Sequence, residues 1–220
     1  MEIGPGKGAL TAHLLDRADG VVAIEIDPIL VQYLRAKFRG NDRLEVVEGD
    51  ILKVDPGRWG PAVIAGNLPY YIASPIIGKV LDLGGGLIRA VFLVQKEVAQ
   101  RLTASPGSRD YGYLTVATQL FAEVECLFVV PPAAFHPAPK VESAVVRLTP
   151  RRELPATDPA AFLRFVSLAF QHKRKTLRNN LLAEYDRAVL DELPEGKLRA
   201  EQMSLDALLA LYRRLQGTTS

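Results

Sequence analysis

The 220-residue sequence has one cysteine, almost no net charge and no uncharged apolar run long enough to cross a bilayer. The lone Cys126 excludes an intrachain disulfide, and its strand-like neighbours Val124, Leu127, Phe128 and Val129 predict a buried small hydrophobe. The opening Met1-Glu2-Ile3-Gly4-Pro5 has neither the basic nor the apolar region of a secretion signal, so a cytoplasmic protein without a membrane partner is expected. Twenty-seven Lys and Arg against 25 Asp and Glu leave a net charge of +2, so any nucleic-acid role must rest on local patches rather than a global field. No metal site is expected.

A hydrophobic content of 48% suffices for a real core, and the length suits one large domain with a small one. Strand-like runs at Val21 to Ile26, Leu44 to Val47, Ala62 to Ala65 and Ile88 to Val94 alternate with helix-compatible stretches. That order argues a parallel sheet with crossover helices, an α/β fold. Glu123 to Val130 and Ser143 to Leu148 are two further strands, joined by a Pro-rich connection and able to pair antiparallel at a sheet edge. Beyond Pro155 the strand signal disappears. Asp158-Pro159 reads as an N-cap with Pro at the first helical position, and Phe162, Phe165, Val166, Ala169, Phe170, Leu177 and Leu181 recur at roughly helical spacing. A last helix is expected from Ser204-Leu205-Asp206 through Leu215. The expected domains are residues 1–150 and a small all-helical domain, 151–220.

Glu2-Ile3-Gly4-Pro5-Gly6-Lys7-Gly8-Ala9 ends a strand and leads into a helix at Leu10 to Leu15, where glycines let the backbone approach a ligand. The second strand ends Ile24-Glu25-Ile26-Asp27, placing a carboxylate where both ribose hydroxyls of a nucleoside could donate to it. The same spacing satisfies a dinucleotide fingerprint with Gly4, Gly6 and Ala9, so the loop alone does not separate a dehydrogenase from a methyltransferase. A third strand ends Val47-Glu48-Gly49-Asp50-Ile51; Asp50 suits an adenine amino group, or serves only as a turn residue.

Ala65-Gly66-Asn67-Leu68-Pro69-Tyr70-Tyr71 follows the fourth strand, at the edge where open α/β sheets bind ligands. An adenine amine is a poor nucleophile because its lone pair is delocalised into the ring, and a sulfonium methyl donor demands in-line attack. Two acceptors on the amine hydrogens orient it and favour the developing tetrahedral nitrogen. Asn67 can offer its side-chain oxygen and Leu68 its carbonyl, Pro69 restricts Leu68 to extended geometry, and Tyr70 can stack on the base. A plain turn after a strand also uses Asn and Pro. The target must be an unpaired or flipped nucleotide. Phe135, in a loop stiffened by prolines, is a candidate second stacking surface or a core plug. Gln171 to Asn180 reads as a basic helix carrying Lys173, Arg174, Lys175 and Arg178 and no acid, suited to RNA phosphates or to a solvated face.

Taken together, Glu2-Ile-Gly-Pro-Gly6, Ile24-Glu-Ile-Asp27, Gly49-Asp50, Asn67-Leu-Pro-Tyr70, Gln95-Lys-Glu-Val98, Tyr111-Gly-Tyr-Leu-Thr115, Phe135-His-Pro-Ala-Pro-Lys140 and Ala169 to Leu181 resemble the small-subunit ribosomal RNA adenine dimethyltransferases over nearly the whole chain. The resemblance implies a Rossmann-like S-adenosylmethionine-dependent methyltransferase sheet followed by a small helical domain. It implies a cofactor site at Glu2, Gly4, Gly6, Glu25, Ile26, Asp50, Ile51 and Asn67, with Asn67, Leu68, Pro69 and Tyr70 around the acceptor amine. RNA contact is expected at Phe135, Lys173, Arg174, Lys175 and Arg178. The implied activity adds two methyls to each of two adjacent adenines near the RNA 3′ end, within a pre-ribosomal particle, by a monomeric enzyme with a role in assembly. Family members also carry an earlier segment that closes over the cofactor; here Met1 stands directly before Glu2, so that segment is expected to be missing and the first strand to be short. A catalytically weakened assembly factor, a large-subunit RNA methyltransferase and a nicotinamide-dependent dehydrogenase are the alternatives.

Overall fold

Apolar runs bounded by glycine, proline and acidic caps become strands and helices in the computed structural model, which describes residues 1–217. The last three residues of the expected 151–220 domain lie outside the described residues. The strands are β1 (Glu2–Ile3), β2 (Val21–Glu25), β3 (Leu44–Glu48), β4 (Ala62–Asn67), β5 (Leu87–Gln95), β6 (Ala122–Val130) and β7 (Ser143–Pro150). They form one sheet in the order β3-β2-β1-β4-β5-β7-β6. β1 pairs parallel with both β2 and β4, β5 extends the parallel part beside β4, and β7 returns antiparallel to β5. Ile3, Ala23, Ile24, Ile64, Ala90, Phe92 and Val94 are buried, as central strands covered by helices require. The helices that follow these strands include α1 (Ala9–Leu15), α2 (Pro28–Lys37), α3 (Ala73–Leu81) and α4 (Lys96–Leu102). At α2, the Asp27 side chain accepts from the Ile29 N–H at 2.8 Å and Pro28 takes the first turn, where its missing N–H costs nothing. Chain direction reverses between β1 and β4, and this switch point puts a crevice at the carboxyl ends of the strands.

The chain divides into two compact units, residues 1–99 with 123–150, and residues 100–122 with 151 onward. The second unit contains α5 (Tyr113–Phe121), α6 (Pro159–Ala169), α7 (Leu177–Leu181), α8 (Arg187–Asp191) and α9 (Leu205–Gly217). It takes in residues 100–122, which the 1–150 domain included, because Tyr111, Val116 and Leu120 pack with Phe162, Phe165, Val166 and Leu211 in one apolar cluster. Caps at Asp158, whose carboxylate accepts from Ala161 N–H at 2.9 Å, and Ser204, whose hydroxyl accepts from Ala207 N–H at 3.1 Å, start α6 and α9 where the sequence places them.

Two expectations fail. The basic segment is not a helix: α6 stops at Ala169, residues 171–176 form a turn, and only 177–181 are helical. The buried Asn180 amide donates to the carbonyls of Ala169 at 2.7 Å and His172 at 3.2 Å, ending α6 by satisfying groups that a further turn would have used. Cys126 is exposed rather than buried, because β6 is the sheet's edge strand and Phe128 and Val129 beside it face solvent as well.

Within the helical cluster the Tyr111 hydroxyl is buried with no hydrogen-bond partner among the described residues, and burial pushes its pKa up to about 12. The folded state therefore holds this proton more tightly than the unfolded chain. Its contribution to stability is present below pH ~10 and is lost as pH rises toward about 12. Tyr111→Phe should abolish that alkaline loss and leave stability unchanged or up to ~1 kcal/mol higher, since it removes an unpaired polar group; urea titration at several pH values measures both.

Candidate active site

Four successive strand ends build the site. After β1, Gly4 and Gly6 have φ of +65° and +58°, a left-handed backbone that side chains resist, and Gly4 N–H donates to the Ile24 carbonyl at 3.0 Å. At the end of β2, the buried Glu25 carboxylate accepts from the backbone N–H of Gly6 at 3.0 Å, Ile26 at 2.9 Å and Asp27 at 3.1 Å. A carboxylate has about four acceptor positions, so Glu25 pins the glycine loop to β2 and keeps room for one further donor. Ile26 next to it is 65% exposed, whereas Ile51 is buried. Asp50 follows β3; one of its oxygens accepts from Leu52 N–H at 2.9 Å in a tight turn, so it is a turn residue whose second oxygen takes no part in the turn.

Glu2 is also buried, and the Thr11 hydroxyl of α1 donates to its carboxylate at 2.5 Å. Burial raises its pKa above the ordinary carboxylate value, with the nearby charge of Glu25 acting in the same direction and the Thr11 bond opposing it. Of the expected cofactor residues, Glu2 is thus the one satisfied by a helix side chain. Thr11 was invisible as its partner in the sequence, since a threonine in an amphipathic helix carries no mark of what it faces.

β4 ends on Asn67, which is exposed, while Leu68 is 1% exposed and its N–H donates to the Leu93 carbonyl at 3.0 Å, carrying the ladder to β5 one residue past the strand. Ile72 N–H closes a turn onto the Pro69 carbonyl at 3.1 Å. Tyr70 is partly buried, with its hydroxyl 3.0 Å from the hydroxyl of the buried Ser143 at the start of β7. A cavity of about 260 Å³ is lined by Asn67, Leu68, Pro69, Tyr70, Phe135, Pro137 and Pro139. Its size, near the lower end of ligand cavities at roughly 300 Å³, suits one planar base rather than a whole nucleotide. The structure thus brings Phe135 to the Asn67–Tyr70 motif. It adds Ser143, Pro137 and Pro139, which sequence reasoning did not single out as lining or anchoring groups. Lys96, just after β5, fixes the start of β7 by an ion pair to Glu142 at 2.6 Å and a backbone bond to its carbonyl at 3.0 Å.

In the helical unit, Lys173, Arg174 and Lys175 stand exposed on the turn after α6. Lys173 donates to the Arg109 carbonyl at 2.6 Å and lies 3.9 Å from Glu201. Arg178 is engaged by Asp191, a hydrogen-bonded pair that raises the guanidinium pKa and lowers that of the carboxylate. Arg174 and Lys175 make no ion pair among the described residues and are the least committed of the four cations.

Comparison with known proteins places these features in context. Residues 1–216 match the family model described as ribosomal RNA adenine dimethylase. The chain is 44% identical to the ribosomal RNA small subunit methyltransferase A of Acidobacterium capsulatum, across 98% of this chain and 81% of that relative. Among solved structures, a dimethyladenosine transferase from Plasmodium falciparum superposes with a TM-score of 0.85 at 28% identity, across 99% of this chain and 90% of the other. The 23S rRNA methyltransferase ErmE superposes with a TM-score of 0.74 at 33% identity, across 98% and 89%.

Proposed function

The chain belongs to the ribosomal RNA adenine dimethylase family, and from that premise we propose that it dimethylates two adjacent adenines near the 3′ end of small-subunit RNA, with Asn67, Leu68, Pro69 and Tyr70 holding the acceptor amine. It is an S-adenosylmethionine-dependent ribosomal RNA adenine dimethyltransferase. The nicotinamide alternative that the glycine loop left open falls with this assignment. The substrate in the cell is small-subunit RNA in a pre-ribosomal particle, met by a cytoplasmic monomer. Among the described residues no helix is long and apolar enough to cross a membrane.

The residues present fit the cofactor. The bare backbone of Gly4 and Gly6 at the β1/β4 switch point leaves room for a close ligand, and Glu25 and Asp50 stand at the next two strand ends. Gly4, Gly6, Glu25, Ile26, Asp50, Ile51 and Asn67 would hold it, with Glu2 supporting from beneath through Thr11. When bound, the cofactor supplies an electrophilic methyl group on a sulfonium sulfur.

The chain's own contribution is orientation. The Asn67 side-chain oxygen and the Leu68 carbonyl accept the two amine hydrogens of the base, turning the nitrogen lone pair out of conjugation. Pro69 keeps Leu68 extended so that both acceptors converge. Tyr70, anchored by Ser143, and Phe135 across the cavity grip the two faces of the ring. After transfer, the amine proton is acidic and passes to a nearby acceptor or water, so no strong base is needed. Arg174 and Lys175 in the helical unit contact RNA phosphates.

The observation that carries this reading is the base-sized cavity between Asn67–Tyr70 and the Phe135 loop, at the carboxyl edge of the sheet. Incubation with labelled S-adenosylmethionine and immature small subunits tests it, with dimethyladenine expected by mass spectrometry. Label in large-subunit RNA alone would refute the proposed acceptor, and subunit binding without label would point to a non-catalytic assembly factor. A second expectation concerns the cofactor. Glu25→Ala frees the backbone N–H groups of Gly6, Ile26 and Asp27 and removes the ribose acceptor. At about 1.5–3 kcal/mol for a hydrogen bond to a charged group, S-adenosylmethionine affinity should fall at least about tenfold in calorimetric titration; parent-like affinity would remove Glu25 from the site.

A further inference from the structure

Within the helical unit, two segments far apart in sequence meet at one basic surface. The loop from Ser105 to Asp110, exposed throughout, is shaped by Ser108 N–H donating to the Ser105 carbonyl at 3.1 Å and Gly107 N–H donating to the Glu201 carbonyl at 2.6 Å. The turn from His172 to Lys175 is shaped by Lys175 N–H on the His172 carbonyl at 2.9 Å and by the buried Asn180 amide beneath it. Lys173 joins the two, its ammonium donating to the Arg109 carbonyl at 2.6 Å. Glu201, 3.9 Å from the same ammonium, offsets part of its charge.

We infer that the Ser105–Asp110 loop and the His172–Lys175 turn form a single phosphate-binding surface for the RNA substrate, in which Arg109 is a contact residue and Lys173 is the strut that sets the spacing between the two. This rests on the reading that the basic turn touches RNA. Arg109, Arg174 and Lys175 are exposed and make no ion pair among the described residues, so each can neutralise a phosphate without first breaking a bridge. Lys173 and Arg178 are committed to Arg109 and Asp191. Asp110 is the one acid in the loop, and a neighbouring carboxylate steers the contact toward Arg109's long guanidinium, which can reach past it. A rigid pair of segments matters because folded RNA presents phosphates at fixed separations, and cations already placed lose less entropy on binding.

Titration of Arg109→Gln, Arg174→Gln and Lys173→Met onto purified small-subunit RNA between about 50 and 200 mM salt separates the possibilities. Arg109→Gln should weaken binding about three- to tenfold and flatten the log–log salt slope by roughly 0.7–0.9, the loss of one phosphate contact, with a thermal melt matching the parent. Arg174→Gln should do the same. Lys173→Met should flatten the slope by more than one contact, because it releases the Arg109 loop. An Arg109→Gln protein with parent affinity and slope, beside a weakened Arg174→Gln, would exclude the loop and leave RNA contact by the turn standing. Parent behaviour from both would overturn RNA contact and this surface together. A Lys173→Met effect no larger than one contact would refute the strut.

Discussion

Asn67→Ala is expected to lower methyl transfer by about 10²–10³-fold while leaving RNA binding close to that of the parent chain. The magnitude is that of removing one preorganised acceptor from a developing charge. The selectivity follows from where the residue sits. Asn67 is exposed at the cavity, whereas the backbone on both sides of it is fixed: Gly66 pairs with Ile3 of β1, and Leu68 N–H is bonded to Leu93. Truncating the side chain therefore removes an acceptor without moving the Leu68 carbonyl or the Tyr70 ring, whose hydroxyl is held by Ser143. One acceptor alone fixes only one amine hydrogen and lets the nitrogen rotate back into conjugation with the ring. Single-turnover transfer of labelled methyl into adenine measures the rate, and filter binding at fixed salt measures RNA affinity. A variant within threefold of the parent rate would show that the amine is activated elsewhere.

Strands and caps were legible because each depends on nearby residues. The alternation and β-branched content of Val21 to Ile26 or Ile88 to Val94 leave little choice but a strand, and Asp27-Pro28 and Asp158-Pro159 announce helix starts through bonds two or three residues away. The strand-end motifs could be placed at one edge of a parallel sheet for the same reason. What was not legible depends on contacts distant in sequence. The spacing of Phe170, Leu177 and Leu181 continues a helical stripe, and only the side chain of Asn180 folding back onto Ala169 and His172 shows that the helix ends. Cys126 sits in a run as apolar as any central strand, but burial depends on the sheet order, which leaves β6 with one neighbour. Likewise, Ser143 meets Tyr70 only because β7 returns antiparallel beside β5 and starts at the carboxyl edge, where Gln95 is its register partner. Tyr111, Val116 and Leu120 join the helical cluster on the strength of partners beyond residue 156, a choice that no local pattern records.

The largest structural effect should come from Gly66→Ala. In the parallel pairing of β1 with β4, Gly66 stands opposite Ile3, and a Cβ at position 66 would lie 2.5 Å from the Ile3 carbonyl oxygen and 3.3 Å from the Ile3 Cβ. The first contact is to backbone, which cannot rotate away as a flexible side chain can, so the two strands must separate. Overpacking of this kind costs about 1–3 kcal/mol, and here it falls on a two-residue strand flanked by β2 and β4, which has little pairing to spare. The displacement also reaches both halves of the site, because Ile3 leads directly into Gly4 and Gly66 into Asn67. Gly66→Ala should therefore lower the urea midpoint and, at temperatures where the protein remains folded, weaken S-adenosylmethionine binding beyond what the lost stability explains. RNA binding by the helical unit should be spared. Its core is built from other residues, and its basic turn is held by Asn180 and Lys173. Parent-like stability in Gly66→Ala would mean that β1 and β4 are spaced more widely than this register requires, and that Gly66 serves the ligand rather than the sheet.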